Sequence, residues 1–286
     1  MANMRALRTR IKSIENTRQI TKSMRMVSAS KLRKTQAAYH ELSEFAETSR
    51  EIMRKLTACA GDRLNSPFLQ PHAGEEKLCY VLFVGNRGLC GAYNSAVLKY
   101  LQELLSGTDG ECFAVVCGRW GREQIAASGI PVRRTFDAIG DTPTAADAFA
   151  LTEYLKELYL SGEADRIVLV YQQYRSVLQQ EPGQLELLPM RAPEGKSGAS
   201  DIIFEPDADT LLAALTELVL QNTVYSTLLE AKTGEHSARM TAMTAASDNT
   251  DELIEELSLK LNHARQAAIT TEISEIVGGA SALNQS

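Results

Sequence analysis

Residues 1–60 contain neither glycine nor proline. Those two residue types are the ones that most often end or break a helix. One helix of that length would reach ~90 Å at its rise per residue. A compact globule of 286 residues has a diameter of only ~50 Å. The sequence therefore predicts a helix that protrudes from its globule and needs a partner along its length.

The partner is expected at the other end of the chain. Between Pro206 and Gly278 the only breaker is Gly234. Ile254, Leu257, Leu261, Ala264 and Ala268 follow the 3,4 spacing of a coiled-coil seam. Ile269, Ile273 and Ile276 read as its continuation on a slightly rotated seam. The N-terminal stretch answers with Leu7, Ile11 and Ile14, then Ile20, Met24 and Val27. Two helices separated by a folded insert pair most simply antiparallel. The expected architecture is α/β plus a long antiparallel coiled coil. Residues 1–60 and 207–279 would form a protruding stalk, and residues 75–195 a Rossmann-like α/β head.

Within that head, Leu78–Val84 is a short apolar run rich in strand formers. Further strands are expected at Phe113–Cys117, Pro131–Thr135, Arg166–Tyr171 and Leu185–Met190. Helices are expected at Asn94–Leu105, Arg119–Ser128 and Thr144–Leu160. This alternation implies a parallel or mixed sheet. Glu181-Pro-Gly-Gln184 and Ala192-Pro-Glu-Gly-Lys-Ser-Gly198 read as turns or loops.

Charge is unevenly spread. The net charge is −6, yet residues 1–40 hold ten Lys/Arg against one acid, Glu15, and so carry +9. Like charges at i, i+4, such as Arg8 and Lys12, weaken an isolated helix. An acidic partner surface is therefore expected. Nucleic acid is the alternative, but the basic stretch lacks interleaved aromatics and the remaining chain is acidic. No apolar run approaches the ~18 residues of a membrane span, and no signal peptide is expected, because the first residues are basic and polar without an apolar stretch. Five cysteines without a C-x-x-C pair read as reduced thiols.

Candidate chemistry is sparse. Gly85, Gly88 and Gly91 are spaced G-x-x-G-x-x-G, which is neither the dinucleotide fingerprint nor a P-loop. They read as a tight strand-to-helix turn with Arg87 available at its tip. A nicotinamide-dependent enzyme is the less favoured alternative. His40, His72, His236 and His263 lack metal-ligand spacing. Cys112 and Cys117 are five apart and would face opposite sides of a strand. Glu255 and Glu256 read as solvated. No catalytic residue, cofactor site or metal site is expected.

Two terminal segments carry a resemblance: Asn16-Thr-Arg-Gln-Ile-Thr-Lys-Ser-Met-Arg-Met-Val-Ser-Ala-Ser-Lys-Leu-Arg33 and Ala264-Arg-Gln-Ala-Ala-Ile-Thr-Thr-Glu-Ile-Ser-Glu-Ile-Val-Gly-Gly-Ala280. Both resemble the ends of the gamma subunit of F-type ATP synthases. Gly88-Leu-Cys-Gly-Ala-Tyr-Asn94, Phe204-Glu-Pro-Asp207 and Ser237–Asn249 resemble the same family in the same order. The resemblance implies a non-catalytic rotary shaft. It would couple an ion-driven membrane c ring to ATP synthesis or hydrolysis in a hexamer of three alpha and three beta subunits, with epsilon beside it. It implies a peripheral place on the cytoplasmic face of a bacterial membrane, with no span of its own.

The resemblance also implies site residues. Met24, Lys22, Arg25, Lys31, Arg33, Lys34, Arg239, Arg265, Gln266, Thr270 and Glu272 would face the stator, with Arg265 and Gln266 as a catch on the catalytic collar. Arg87, Phe204 and Glu205 would contact the ring or epsilon. Asn86 stands where many relatives have an acid. The Glu181–Ser200 region lacks cysteine, so redox control of the chloroplast type is not expected.

Overall fold

A computed structural model describes residues 2–60, 66–72, 77–108, 110–190 and 208–283. Phe204, Glu205 and the Ala192–Gly198 loop lie outside the described residues. The elements run α1 (Ala2–Ala60), β1 (Leu78–Phe83), α2 (Tyr93–Ser106), β2 (Cys112–Cys117), α3 (Gly121–Ala127), β3 (Val132–Phe136), α4 (Ala145–Leu160), β4 (Arg166–Tyr174), β5 (Gln180–Leu188) and α5 (Ala208–Leu283). The chain divides into two compact units, Met1–Val27 with Met240–Ser286, and Ser28–Arg239. The division falls inside each long helix.

The larger unit is built on a five-stranded sheet of order β3-β2-β1-β4-β5. The first four strands are parallel, and β5 runs antiparallel to β4. Every residue of β1 is buried, because helices cover both faces. Cys79, Val81 and Phe83 join Leu151, Leu155 and Tyr159 of α4 and Leu220, Val224 and Leu228 of α5 on one face. Tyr80, Leu82 and Val84 join Val97 and Leu101 of α2 and Ile125 of α3 on the other. Cys117 packs in the first cluster and Cys112 against the second, as their odd spacing requires.

One expected turn is a strand. Glu181-Pro-Gly-Gln184 lies inside β5, where Pro182 pairs with Gln172 and Gly183 with Tyr171. Proline is tolerated there because β5 is an edge. The Gln173 side chain lies over Gly183, where a Cβ would come within 2.6 Å of its Nε2 and push it aside.

In the smaller unit the helices are antiparallel. Arg18 pairs with Asp251 at 2.8 Å, and Arg10, further toward the N-terminus, acts on Glu256, further toward the C-terminus. The seam residues Ile254, Leu257, Leu261, Ala264 and Ala268 are buried or half-buried. Two expectations fail here. Ile20 and Val27 are 61% and 53% exposed. Thr21 takes the inward position, its hydroxyl satisfied by the Arg18 carbonyl of its own helix. Ile269, Ile273 and Ile276 are exposed at 47%, 56% and 71%. The physical reason is length: equal rise in both helices puts Ala2 opposite about residue 267 of α5. Helix α5 also continues past the expected end at 279, to Leu283.

Candidate functional site

Two surfaces carry the sequence-derived candidates. On α5, Arg265, Gln266, Thr270 and Glu272 are all exposed. The Thr270 hydroxyl donates to the Gln266 carbonyl at 2.9 Å, tying the two into one turn. Just beyond them Ile273, Ile276 and Val277 stand uncovered, each more than half exposed.

On α1, Lys22, Arg33 and Lys34 are exposed, while Met24 and Arg25 are half-buried. Lys31 differs from its neighbours. It pairs with Asp141 on the segment between β3 and α4, so its charge is engaged within the chain.

Arg239 is likewise committed internally. It is 8% exposed, and its guanidinium donates to Glu235 Oε1 at 2.6 Å and to the Arg87 carbonyl at 3.3 Å. Glu235 Oε2 accepts from Lys232 Nζ at 2.7 Å. Burial would raise the Glu235 pKa, but Lys232 and Arg239 outweigh it and hold the carboxyl below its ordinary range. This triad is absent from the sequence reading. A Lys-x-x-Glu-x-x-x-Arg run resembles any salt-bridged helix surface, and only the surrounding apolar residues Leu228, Leu229 and Ala231 hint at burial.

The triad also fills the place where a doubly wound sheet takes its ligand, the crevice beyond the carboxyl ends of its strands. Among Phe83, Val84, Tyr93, Cys117, Lys232 and Glu235 the remaining cavity is only ≈ 10 Å³, room for about one water. A Cβ on Gly85 would lie 3.0 Å from Glu235 Oε1. The glycine loop thus wraps a carboxylate of its own chain. Arg87 is exposed at its tip. Asn86 spans the loop's base: it donates to the Ile139 carbonyl at 2.8 Å and accepts from Arg119 N at 3.2 Å. An uncharged amide can do both, and an acid cannot donate.

His236 lies next to the triad, 1% exposed. Its Nε2–H donates to the Asp141 carbonyl at 2.8 Å, and Nδ1 has no partner among the described residues. Burial pushes its pKa below 6.5. Lys232 and Arg239 push the same way, whereas the Asp141 bond and Glu235 oppose. A histidine with a lowered folded-state pKa contributes fully above its unfolded value, and the contribution is lost as pH falls below about 6.5. The melting temperature is therefore expected to fall between pH 7 and pH 5. His236→Gln keeps a donor for Asp141 but does not titrate, so its curve should be flatter over this range. Parallel curves would exclude His236 as the source.

A family model described as ATP synthase matches residues 3–283. The ATP synthase gamma chain of Desulfitobacterium hafniense is 40% identical over 283 residues, covering 99% of this chain and 100% of that one. That of Moorella thermoacetica is 39% identical over 286 residues, with the same coverage. The chain belongs to the ATP synthase gamma-chain family.

Solved structures agree on the fold. A chain of the Euglena gracilis mitochondrial ATP synthase (OSCP/F1/c-ring, rotational state 3) superposes with TM-score 0.70 at 21% identity, covering 99% of this chain and 95% of that chain. A chain of the Tetrahymena thermophila central stalk and c-ring gives 0.63 at 20%, covering 80% and 99%. Among the described residues of this family member, no helix is long and apolar enough to cross a membrane, and no cluster of potential metal ligands forms.

Proposed function

We propose that the chain turns as the non-catalytic central shaft of an F-type ATP synthase, coupling ion flow through a c ring to nucleotide chemistry on beta subunits. The observation that carries this reading is the end of α5. Exposed Ile273, Ile276 and Val277 follow the exposed pair Arg265–Gln266 on a helix matched end to end by gamma chains. From Ile276 to Leu283 the sequence carries no charged residue, and such a tip turns in an apolar collar without fixed ion pairs. Arg265 and Gln266 supply a contact that is made and broken. A rotor orientation that fits one catalytic-site state better shifts that state's population.

In this reading Met1–Val27 with Met240–Leu283 act as the stalk, shorter than the expected 1–60 and 207–279 because the rest of both helices belongs to the larger unit. Ser28–Arg239 is the domain toward epsilon and the ring, and Arg87, Phe204 and Glu205 are the proposed contacts with them. The protein sits peripherally at the cytoplasmic face of a bacterial membrane. Lys22, Arg25, Arg33 and Lys34 meet acidic surface on beta. A sliding contact uses several screened pairs, each contributing only ~0–1 kcal/mol. Lys31 and Arg239 serve the chain's own packing.

Reconstitution with alpha and beta subunits tests the proposal. One chain is expected per three of each. Replacing Lys22, Arg25, Arg33 and Lys34 together with Gln should weaken assembly or coupling at low salt, whereas any single replacement has a modest effect. The deficit should shrink as salt screens the wild-type pairs. Normal assembly and coupling of the quadruple variant at low salt would leave the basic face merely solvated.

A further inference from the structure

The loop from Val84 to Ala92 carries a conformation that its own sequence does not favour. Leu89 has φ 60°, the one positive φ outside glycine among the described residues, and is 63% exposed. A leucine gains nothing locally from the left-handed region, and its side chain gains no burial. Strain of this kind persists where surrounding structure imposes it.

The imposing contacts are on α5. Arg239 Nη2 donates to the Arg87 carbonyl at 3.3 Å and Nε to the Gly88 carbonyl at 3.5 Å. These are the two residues immediately before Leu89. The same guanidinium is fixed from behind by Glu235 at 2.6 Å, and Glu235 by Lys232 at 2.7 Å. The three side chains lie at i, i+3 and i+7, on one face of the helix. The far side of the loop is pinned by Gly85 N donating to Asn94 Oδ1 at 2.8 Å and by Trp120 N donating to the Gly85 carbonyl at 3.0 Å.

The geometry points to Glu235 and Arg239 as positioning residues for this loop: Glu235 aims the arginine fork at two carbonyls, and the fork holds Arg87 and Leu89 outward in one pose. A surface that presents a cation beside an apolar side chain fits a protein partner offering a carboxylate beside an apolar recess. The clamp stands on this chain's geometry. The partner rests on the shaft reading above.

The plainer role for the triad is charge neutralisation in the core, and two conservative substitutions separate it from positioning. Arg239→Lys keeps the positive charge beside Glu235 but cannot fork to two carbonyls and an acid at once. Glu235→Asp keeps the negative charge but draws it back by one methylene. Neutralisation tolerates both changes, and positioning tolerates neither.

Cys90 is the reporter. It is 2% exposed, bonded to the Arg87 carbonyl and to Asn94 Nδ2, so it becomes reachable only when the loop opens. The full-length chain is treated with N-ethylmaleimide, and alkylation of each cysteine is read by peptide mass spectrometry. Cys112, half-exposed, is the accessible control; Cys79 and Cys117, buried in the sheet, report general loosening. Both variants are expected to raise Cys90 labelling by about fivefold or more, as local opening becomes easier, with Cys79 and Cys117 unchanged. A wild-type rate at Cys90 in both variants overturns the clamp. So does a parallel rise at Cys79 and Cys117. Coupling of the assembled complex carrying Arg87→Ala with Leu89→Ser tests the partner separately: a loss supports the surface, and wild-type coupling overturns it while leaving the labelling result intact.

Discussion

Leu257→Asp is expected to destabilise the helix pair by about 4 kcal/mol, the sum of a lost large apolar side chain and a carboxylate without a partner. Leu257 is 7% exposed in a seam otherwise rich in small or half-covered residues. Ser247 and Thr250 are buried, and Ile254, Leu261 and Ala264 are half-buried. Its contribution is therefore hard for neighbours to replace. The deficit should be largest near neutral pH. It should shrink in acid, because burial favours the neutral carboxyl of the new aspartate. Ile276→Asp is the matched control, at a position 71% exposed. It should change stability by no more than ~0.5 kcal/mol. Urea unfolding followed by helical circular dichroism measures both. Equal midpoints for the two variants would mean that Ile254–Ala268 is not the seam.

That contrast marks where the sequence was readable. The absence of breakers gave the helices, and the 3,4 spacing of Ile254–Ala268 gave one side of the seam. The other side misled, because an apolar count favours Ile20 and Val27, whereas the helices approach through Thr21. A hydroxyl bonded to its own backbone is cheap to bury, and its small size permits closeness that isoleucine would prevent. Pro182 and Gly183 hid the start of β5 for a related reason. Both are breakers in a central strand, but an edge strand has a free side on which a missing N–H costs nothing.

The polar interior was the least readable part. Lys232, Glu235, His236 and Arg239 are spaced like the solvated face of a helix, and nothing in their order reveals a sheet's strand ends packed against them. The consequence reached the candidate site. Family resemblance placed Lys31 and Arg239 among the stator-facing cations, yet both spend their charge inside the chain. Arg18 is also engaged, with Asp251. Cations outside such pairs among the described residues, such as Lys22, Arg33, Lys34 and Arg265, are the ones whose removal reads on a partner rather than on the fold.

Arg265→Ala is the substitution in which that distinction has the largest expected effect. The side chain is exposed and makes no hydrogen bond or ion pair among the described residues. Its loss should change the chain's own stability by no more than ~0.5 kcal/mol. In the assembled complex its partners would be on the catalytic collar, where a charge-assisted hydrogen bond contributes roughly 1.5–3 kcal/mol. If that bond is made in the resting pose and broken in the slow step, its loss speeds ATP turnover; if it is made in the slow step, its loss slows turnover. Either way the change should exceed about tenfold, with subunit stoichiometry intact. Arg265→Lys keeps the charge but loses the planar fork, so it should fall between wild type and Arg265→Ala. Asn262→Ala, exposed one turn earlier on the same helix, should turn over like wild type. Wild-type turnover and coupling in Arg265→Ala would remove the catch from the mechanism, leaving the apolar tip to act by fit alone.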